Sequence, residues 1–259
     1  MSHIIWNASP ELLSIGPFSI RWYGSLFALA FYLGYRILLR AFEREKVPQL
    51  TLDSLLAHLF IATLAGARLG HCLFYEPEIY LQDPLRILKI WEGGLASHGA
   101  ALGIFLVLLL FRKKNPQLSY LWLADRVAMV SPLGGALVRV GNFFNSEILG
   151  KPSDVPWAIV FARVDTQARH PAMLYEAFAY FAIAALLLHL YFKKNAGKRP
   201  GLLFGLFLIF VFGVRFAVEF FKENQAAFES SLPLNMGQAL SIPMICLGIW
   251  LVQRSRRKA

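Results

Sequence analysis

The chain has 259 residues, of which 57% are hydrophobic and only 16% are charged, and its mean hydropathy is +0.51. A soluble domain of this size does not bury so much apolar surface, which excludes an ordinary water-soluble protein. The formal net charge is +10, but the basic residues lie in short clusters between apolar stretches, as they do in the loops of membrane proteins. That distribution, and the lack of a nucleic-acid-binding motif in the sequence, exclude nucleic acid as a partner.

The two cysteines, Cys72 and Cys246, lie far apart in apolar stretches, without a CxxC or a Cys/His spacing. This pattern predicts neither a disulfide framework nor a metal site, and nothing in the sequence calls for an organic cofactor. No Lys or Arg precedes the first apolar stretch, so we expect no cleavable signal peptide.

Seven apolar stretches are long enough to cross a bilayer, for which a helix needs about 20 residues. They lie at 19–40, 52–75, 93–111, 120–143, 171–192, 201–221 and 236–253. We therefore expect an all-α polytopic membrane protein with about seven transmembrane helices, forming a single integral membrane domain over residues 1–259.

The loops on alternate sides of these stretches differ in charge. One set holds 15 Lys and Arg in four clusters, at 36–46, 112–114, 193–199 and 254–258, whereas the other set holds six. Basic loops remain in the cytoplasm, so the N-terminus is predicted to be periplasmic and the C-terminus cytoplasmic. The outer loops 76–95 and 144–170 are longer and rich in Trp, Pro and Gly, and we expect them to form a small periplasmic head.

Arginines inside the predicted spans are the main indication of function, because an unpaired charge at mid-bilayer costs at least about 2.5–3.5 kcal/mol. At about 1.5 Å per helical residue, four of them lie in the outer half of the bilayer, together with His98 and Tyr23. The four are Arg21, Arg68, Arg139 and Arg215. Arg126, beside Asp125, lies near the cytoplasmic end instead. Four arginines at one depth imply an anionic ligand, and a phosphodiester headgroup fits that depth and charge.

Local spacing pairs some of these residues. Arg215 and Glu219 are four residues apart, and Arg139 and Asn142 are three apart, so each pair shares one face of a helix. The run 141–145 is rich in amides, and we expect it to turn out of the membrane rather than continue as a lipid-facing helix.

The stretch 139–150, RVGNFFNSEILG, is similar to a long signature, R-x-G-N-F-x-N-x-E-x-x-G, of the prolipoprotein diacylglyceryl transferase family. Further segments that resemble this family lie at 21–24, 66–70, 91–99, 169–176, 215–219 and 236–238. The resemblance therefore covers nearly the whole chain. One departure is Ala100, which follows His98 and Gly99 where the family usually has a second glycine, and alanine disfavours positive φ.

The resemblance implies a multi-pass enzyme of the bacterial inner membrane whose active site faces the periplasmic half. It implies transfer of the diacylglyceryl group of phosphatidylglycerol to the lipobox cysteine of precursor lipoproteins, forming a thioether and releasing glycerol phosphate. The implied partners are phosphatidylglycerol, the signal peptide and lipobox of the precursor, and the bilayer. Because the nucleophilic thiol belongs to the substrate, Cys72 and Cys246 are not required.

Displacement at a glycerol carbon by sulfur needs a thiolate, formed from a thiol whose pKa is about 8.5, and positive charge on the leaving phosphate. We expect Arg139 and Arg215 to clamp that phosphate. His98 is the predicted general base, and Tyr23 is predicted to hydrogen-bond the headgroup or the thiol. The predicted substrate-binding residues are Arg139, Asn142, Asn145, Glu147, Gly150, Arg68 and Glu219.

Each role has a structural alternative: an ion pair for the arginines, a buried core histidine for His98, an aromatic-belt position for Tyr23 and loop hydrogen bonds for the amides. His170 is expected to support the head together with Tyr175 and Glu176. Two other functions remain open, a lipid or anion transporter or flippase with an arginine-lined site, and a structural scaffold. A transporter would show inverted repeats, which the sequence lacks, and a scaffold would need no convergent arginines.

Overall fold

The structure, a computed structural model, describes residues 3–16, 18–90, 93–223 and 234–257. Helix predominates in these ranges. The helices are α1 (Trp22–Arg44), α2 (Gln49–Phe74), α3 (Pro77–Gln82), α4 (Ser97–Lys114), α5 (Tyr120–Asn145), α6 (Ala172–Lys194), α7 (Leu202–Val218) and α8 (Met236–Arg257). Short 3-10 turns lie at Pro84–Leu88, Ala196–Lys198 and Glu219–Phe221, and the last of these continues α7.

The long helices coincide with the predicted apolar stretches. Six helices within the described ranges are long and apolar enough to cross a membrane: α1, α2, α5, α6, α8, and α7 with its 3-10 turn. The stretch predicted at 93–111 corresponds to α4, which is 18 residues long and ends with Arg112, Lys113 and Lys114. The all-α membrane class is therefore confirmed, while the number of crossings and their orientation remain predictions.

The chain forms two compact units, which are described separately: unit 1 comprises Met1–Ile37 and Asp125–Ala259, and unit 2 comprises Leu38–Ala124. In unit 2, α2 and α4 meet at a seam of glycines. Gly66 and Gly70 of α2 face Gly99 of α4, and a Cβ on Gly70 would lie 2.8 Å from the Gly99 Cα. A Cβ on Gly99 would overlap the Gly66 carbonyl oxygen. Small residues four apart thus let the two backbones touch.

In unit 1, α6, α7 and α8 pack in chain order. A polar contact fixes the start of α7: the Asp125 carboxylate accepts hydrogen bonds from the backbone N–H groups of Gly201 and Phe204, both at 2.8 Å. A carboxylate stabilises a helix N-terminus because the first N–H groups have no partner within the helix. Asp125 therefore has a structural role at the end of α5 that lies farthest from Arg139.

Unit 1 also contains short strands. β1 (Ile4–Trp6) pairs in parallel with β4 (Ile159–Phe161), and β5 (Ala168–Arg169) pairs with β4 in the antiparallel sense. The hairpin β2 (Glu11–Ile15) and β3 (Phe18–Arg21) precedes α1. An apolar cluster of Ile159, Phe161 and Met173, with Trp6 and Phe143 against it, joins the three-stranded sheet to α5 and α6. Whether this sheet forms a periplasmic head remains a prediction.

Candidate active site

The end of α5 carries a chain of polar contacts. Arg139 Nη1 donates to Asn142 Oδ1 at 3.0 Å, and Asn142 Nδ2 donates to Glu147 Oε2 at 3.0 Å. Asn145 Nδ2 donates to the other oxygen of Glu147, Oε1, at 3.2 Å. The 141–145 run is helical, because α5 continues through Asn145, and its exit from the membrane remains a prediction. The turn begins at Ser146, whose φ is 56°, and it brings the Glu147 carboxylate back to both amides.

Glu176, near the start of α6, is a fully buried carboxylate with a cation on each oxygen. Its Oε2 lies 2.5 Å from Arg139 Nε, and its Oε1 accepts a hydrogen bond from Lys222 Nζ at 2.9 Å. Lys222 is itself buried and also donates to Glu219 Oε1 at 3.1 Å. Buried charges are stable only when paired, so these contacts form a continuous ionic chain from α5 through α6 to the end of α7.

Arg215 is the last residue of this ionic chain. As its spacing predicted, it faces Glu219, with Nε 4.0 Å from Glu219 Oε1, and 31% of its side chain is exposed. Asn235 Nδ2 holds the second oxygen of Glu219 at 3.2 Å. Within the described ranges, Nη1 and Nη2 of Arg215 and Nη2 of Arg139 make no hydrogen bond. The two guanidinium groups therefore keep unused donors.

Tyr23 and two glycines complete this part of the site. A Cβ on Gly141 would lie 2.9 Å from Cδ2 of Tyr23, so the glycine lets the first turn of α1 approach α5. Tyr23 lies within electrostatic range of Glu147 and Arg139. Gly150 forms a backbone bridge with Lys222, and a Cβ there would lie 2.8 Å from the Phe221 carbonyl oxygen. The end of the 139–150 stretch is thus joined to the segment that holds Lys222.

His98 belongs to unit 2, where it is the second residue of α4 and is exposed. Its ring centroid lies 5.6 Å from that of Phe74 and 5.7 Å from that of Tyr75, at the end of α2. Trp91 and Glu92, at the start of the predicted 91–99 segment, lie outside the described residues. The convergence of His98 with the arginines at one depth remains a prediction.

Arg68, also in unit 2, is buried and binds backbone rather than side-chain carboxylates. Its guanidinium donates to four carbonyl oxygens, those of Arg86, Ile87, Gly93 and Gly94. Arg21, in contrast, is exposed at the end of β3. Of the four arginines predicted at one depth, the structure therefore joins Arg139 and Arg215 through a shared ionic chain, and gives Arg68 and Arg21 different surroundings.

His170 contacts Tyr175, whereas Glu176, expected to act with them, binds Arg139 and Lys222, and support of a periplasmic head remains a prediction. Nδ1 of His170 lies 3.0 Å from the Tyr175 hydroxyl, which also accepts a hydrogen bond from Trp157 Nε1 at 2.8 Å. These contacts tie the loop before α6 to the first turns of that helix.

Two residues of unit 1 were missed by the sequence analysis. Lys222 lies three residues after Glu219, and Tyr180 lies four residues after Glu176. Helical spacing of i,i+3 and i,i+4 was the signal that could have found both residues.

The comparisons with known proteins agree with the signature. The family model described as prolipoprotein diacylglyceryl transferase matches residues 10–254. The chain is 50% identical over 255 residues to the phosphatidylglycerol-prolipoprotein diacylglyceryl transferase of Tolumonas auensis, covering 98% of both chains. It is 47% identical over 258 residues to the protein of the same name from Chloroherpeton thalassium, covering 100% of this chain and 96% of that relative. For the Bacteroides fragilis protein the identity is 42% over 261 residues, covering 96% and 94%. The chain therefore belongs to the prolipoprotein diacylglyceryl transferase family.

Proposed function

We propose that this enzyme transfers the diacylglyceryl group of phosphatidylglycerol to the lipobox cysteine thiol of precursor lipoproteins, the first step of lipoprotein maturation. Family membership supports the reaction class, and the names of the relatives supply both substrates. The observation that carries the proposal is the pair Arg139 and Arg215, which are linked through buried carboxylates while keeping unused donors. A lipid or anion transporter is not favoured.

In the proposed reaction, the substrate thiolate attacks the glycerol carbon that bears the phosphate. A carbon–sulfur bond forms, the carbon–oxygen bond breaks, and its electron pair leaves on the phosphate oxygen as glycerol phosphate. The phosphate gains negative charge in this step. Arg139 and Arg215 stabilise that charge, because guanidinium groups donate paired hydrogen bonds to phosphate oxygens.

Glu176, Glu219 and Lys222 act as positioning residues. Glu176 contacts Arg139 through Nε, and Glu219 lies beside Nε of Arg215, so Nη2 of Arg139 and both terminal nitrogens of Arg215 are left for a ligand. Lys222 offsets part of the carboxylate charge, being bound to both. The arginines therefore retain positive potential toward a phosphodiester.

Asn142, Asn145 and Glu147, with Gly150, are the proposed binding residues for the polar headgroup. The Glu147 carboxylate is held by both amides, which gives this segment several oriented acceptors and donors suited to glycerol hydroxyls. Tyr23 is proposed to donate its hydroxyl hydrogen to the headgroup or the thiol.

His98 is the proposed general base that takes the proton of the lipobox thiol. An exposed imidazole at the start of α4 supports this assignment. Arg68 is proposed to act indirectly, by binding the carbonyls of the segment that leads into α4.

The proposed orientation in the membrane is based on the distribution of basic residues between the loops. The loops with 15 basic residues are proposed to face the cytoplasm and the arginine site to face the periplasmic half of the inner membrane. The signal peptide of the precursor is proposed to bind from within the same bilayer.

One assay tests the function. Purified protein is incubated with phosphatidylglycerol labelled in its acyl chains and with a lipobox peptide, or the same peptide with serine in place of cysteine. Label should appear only on the cysteine peptide, and glycerol phosphate should be released in equal amount. Movement of labelled lipid between leaflets without peptide labelling would instead indicate a flippase.

A further inference from the structure

Tyr180 is a buried tyrosine that the proposed mechanism does not use. It lies on α6 four residues after Glu176, so both side chains are on one face of the helix, and only 6% of its surface is exposed. Its ring packs against Gly135 of α5, where a Cβ would lie 3.2 Å from Cδ2 of Tyr180. Gly135 precedes Arg139 by four residues. The face of α5 that presents Arg139 to Glu176 therefore also presents Gly135 to Tyr180.

The hydroxyl of Tyr180 is within electrostatic range of four members of the ionic chain. Its charged neighbours are Glu176, Arg139, Arg215 and Glu219. Despite these neighbours, the hydroxyl donates no hydrogen bond to any residue in the described part of the chain. A tyrosine hydroxyl can donate one hydrogen bond, so this donor is suited to a ligand that reaches the two arginines.

We propose that Tyr180 is a substrate-binding residue whose hydroxyl donates to the phosphodiester held by Arg139 and Arg215. This inference rests on the proposed function. A neutral donor suits the position, because Arg139 and Arg215 already supply the positive charge and an O–H group adds direction without another charge. A ring packed between α5 and α6 also has little freedom to lose on binding.

The test is Tyr180→Phe in the purified full-length protein, since phenylalanine keeps the ring and removes only the hydroxyl. The KM for phosphatidylglycerol in mixed micelles should rise about 10- to 100-fold, as expected for one hydrogen bond to a charged group. The kcat should change little, because the bond is made in both the ground state and the transition state. Inhibition by soluble glycerol phosphate should weaken by a similar factor, because it carries the same phosphate.

The matched control is Tyr191→Phe, which removes a hydroxyl from a second buried tyrosine of α6, beside Arg126 rather than the ionic chain. Its kinetics should equal those of the wild-type protein. An unchanged KM in Tyr180→Phe would overturn the proposal. A raised KM with unchanged inhibition by glycerol phosphate would overturn it as well, because the lost contact would then be to another part of the lipid. A fall in thermal midpoint that accounts for the kinetic loss would assign Tyr180 to packing instead.

If the proposed function itself were wrong, the wild-type protein would label no peptide. Binding of phosphatidylglycerol micelles, measured by titration calorimetry on the wild type and Tyr180→Phe, would still report whether the hydroxyl binds the lipid phosphate.

Discussion

Arg139 and Lys222 bind opposite oxygens of one buried carboxylate, that of Glu176. They come from α5 and from the segment after α7, so a single side chain of α6 holds two distant parts of unit 1 together. Lys222 has a second carboxylate partner in Glu219, whereas Glu176 is the only carboxylate paired with Arg139 among the described residues, and Glu176 is completely buried.

Glu176→Gln should therefore destabilise the protein strongly. The amide keeps the shape but removes the negative charge shared by buried Lys222 and partly exposed Arg139, and breaking a buried ion pair costs about 3–5 kcal/mol. Thermal unfolding in detergent should show a clearly lower midpoint. Glu223→Gln is the matched control, because Glu223 is half-exposed and pairs with Arg169, and exposed pairs contribute about 0–1 kcal/mol. Equal midpoints for the two variants would contradict the central role of Glu176.

Arg139→Ala and Arg215→Ala should each nearly abolish transfer, because both arginines are proposed to hold the leaving phosphate. Lysine at either position should restore little activity, since one ammonium group does not reproduce the guanidinium fork. The measurement is label transfer from phosphatidylglycerol at saturating lipid. Full activity of either alanine variant would remove that arginine from the clamp.

The same two variants should differ in stability. Arg139 is the close partner of buried Glu176, whereas Arg215 is partly exposed and only 4.0 Å from Glu219. Arg139→Ala should thus lower the unfolding midpoint, and Arg215→Ala should leave it nearly unchanged. A lower unfolding midpoint for Arg215→Ala than for Arg139→Ala would mean that Arg215 stabilises the ionic chain more than Arg139 does.

The glycine seam of unit 2 gives a packing prediction. In Gly99→Ala the new methyl group would overlap the Gly66 carbonyl oxygen, and forcing the helices apart should cost about 1–3 kcal/mol. The control is Gly213→Ala in α7, where a Cβ would have nothing within 4 Å, and where alanine should be neutral or slightly stabilising. Comparable thermal midpoints for both variants would mean that α2 and α4 are not in backbone contact.

Helices and contacts between residues close together in the sequence could be predicted from the sequence. The helices follow from apolar stretches of sufficient length, and the Arg139–Asn142 and Arg215–Glu219 contacts follow from spacing on one helix face. The amide-rich 141–145 run remains helical because Asn142 and Asn145 have protein hydrogen-bond partners. In the structure Asn142 accepts a hydrogen bond from Arg139, three residues earlier, and donates one to Glu147, five residues later. Its amide therefore has partners while the helix continues to Asn145.

Contacts between distant segments were not predictable in the same way. Lys222 binds Glu176, 46 residues earlier in the chain, and its spacing from Glu219 gives no indication of that distant partner. Arg68 likewise has the sequence setting of a ligand-binding arginine, but it binds backbone carbonyls 18 to 26 residues away. Every residue type carries a backbone carbonyl, so the sequence does not indicate which carbonyls accept hydrogen bonds from Arg68, and only the fold shows them.

His98 provides the last prediction, which separates chemistry from binding. If His98 takes the thiol proton, His98→Gln should lower turnover by about 10²–10⁴-fold while binding of phosphatidylglycerol stays close to normal. The defect should shrink as the pH rises toward the pKa of the free thiol, about 8.5, because solution then supplies thiolate that the variant no longer generates. A pH–rate profile over roughly pH 6.5–9, beside a lipid-binding titration, measures both effects.

His58→Gln is the control for this profile. His58 is also a histidine of unit 2, on α2, but its Nδ1 lies 2.6 Å from the Ser54 carbonyl oxygen within its own helix, so its loss should leave the profile unchanged. If His98 only supports the segment before α4 through its contacts with Phe74 and Tyr75, the defect should instead be independent of pH and accompanied by a lower thermal midpoint. That outcome would transfer the role of base to another group, such as Tyr23, Glu147 or water.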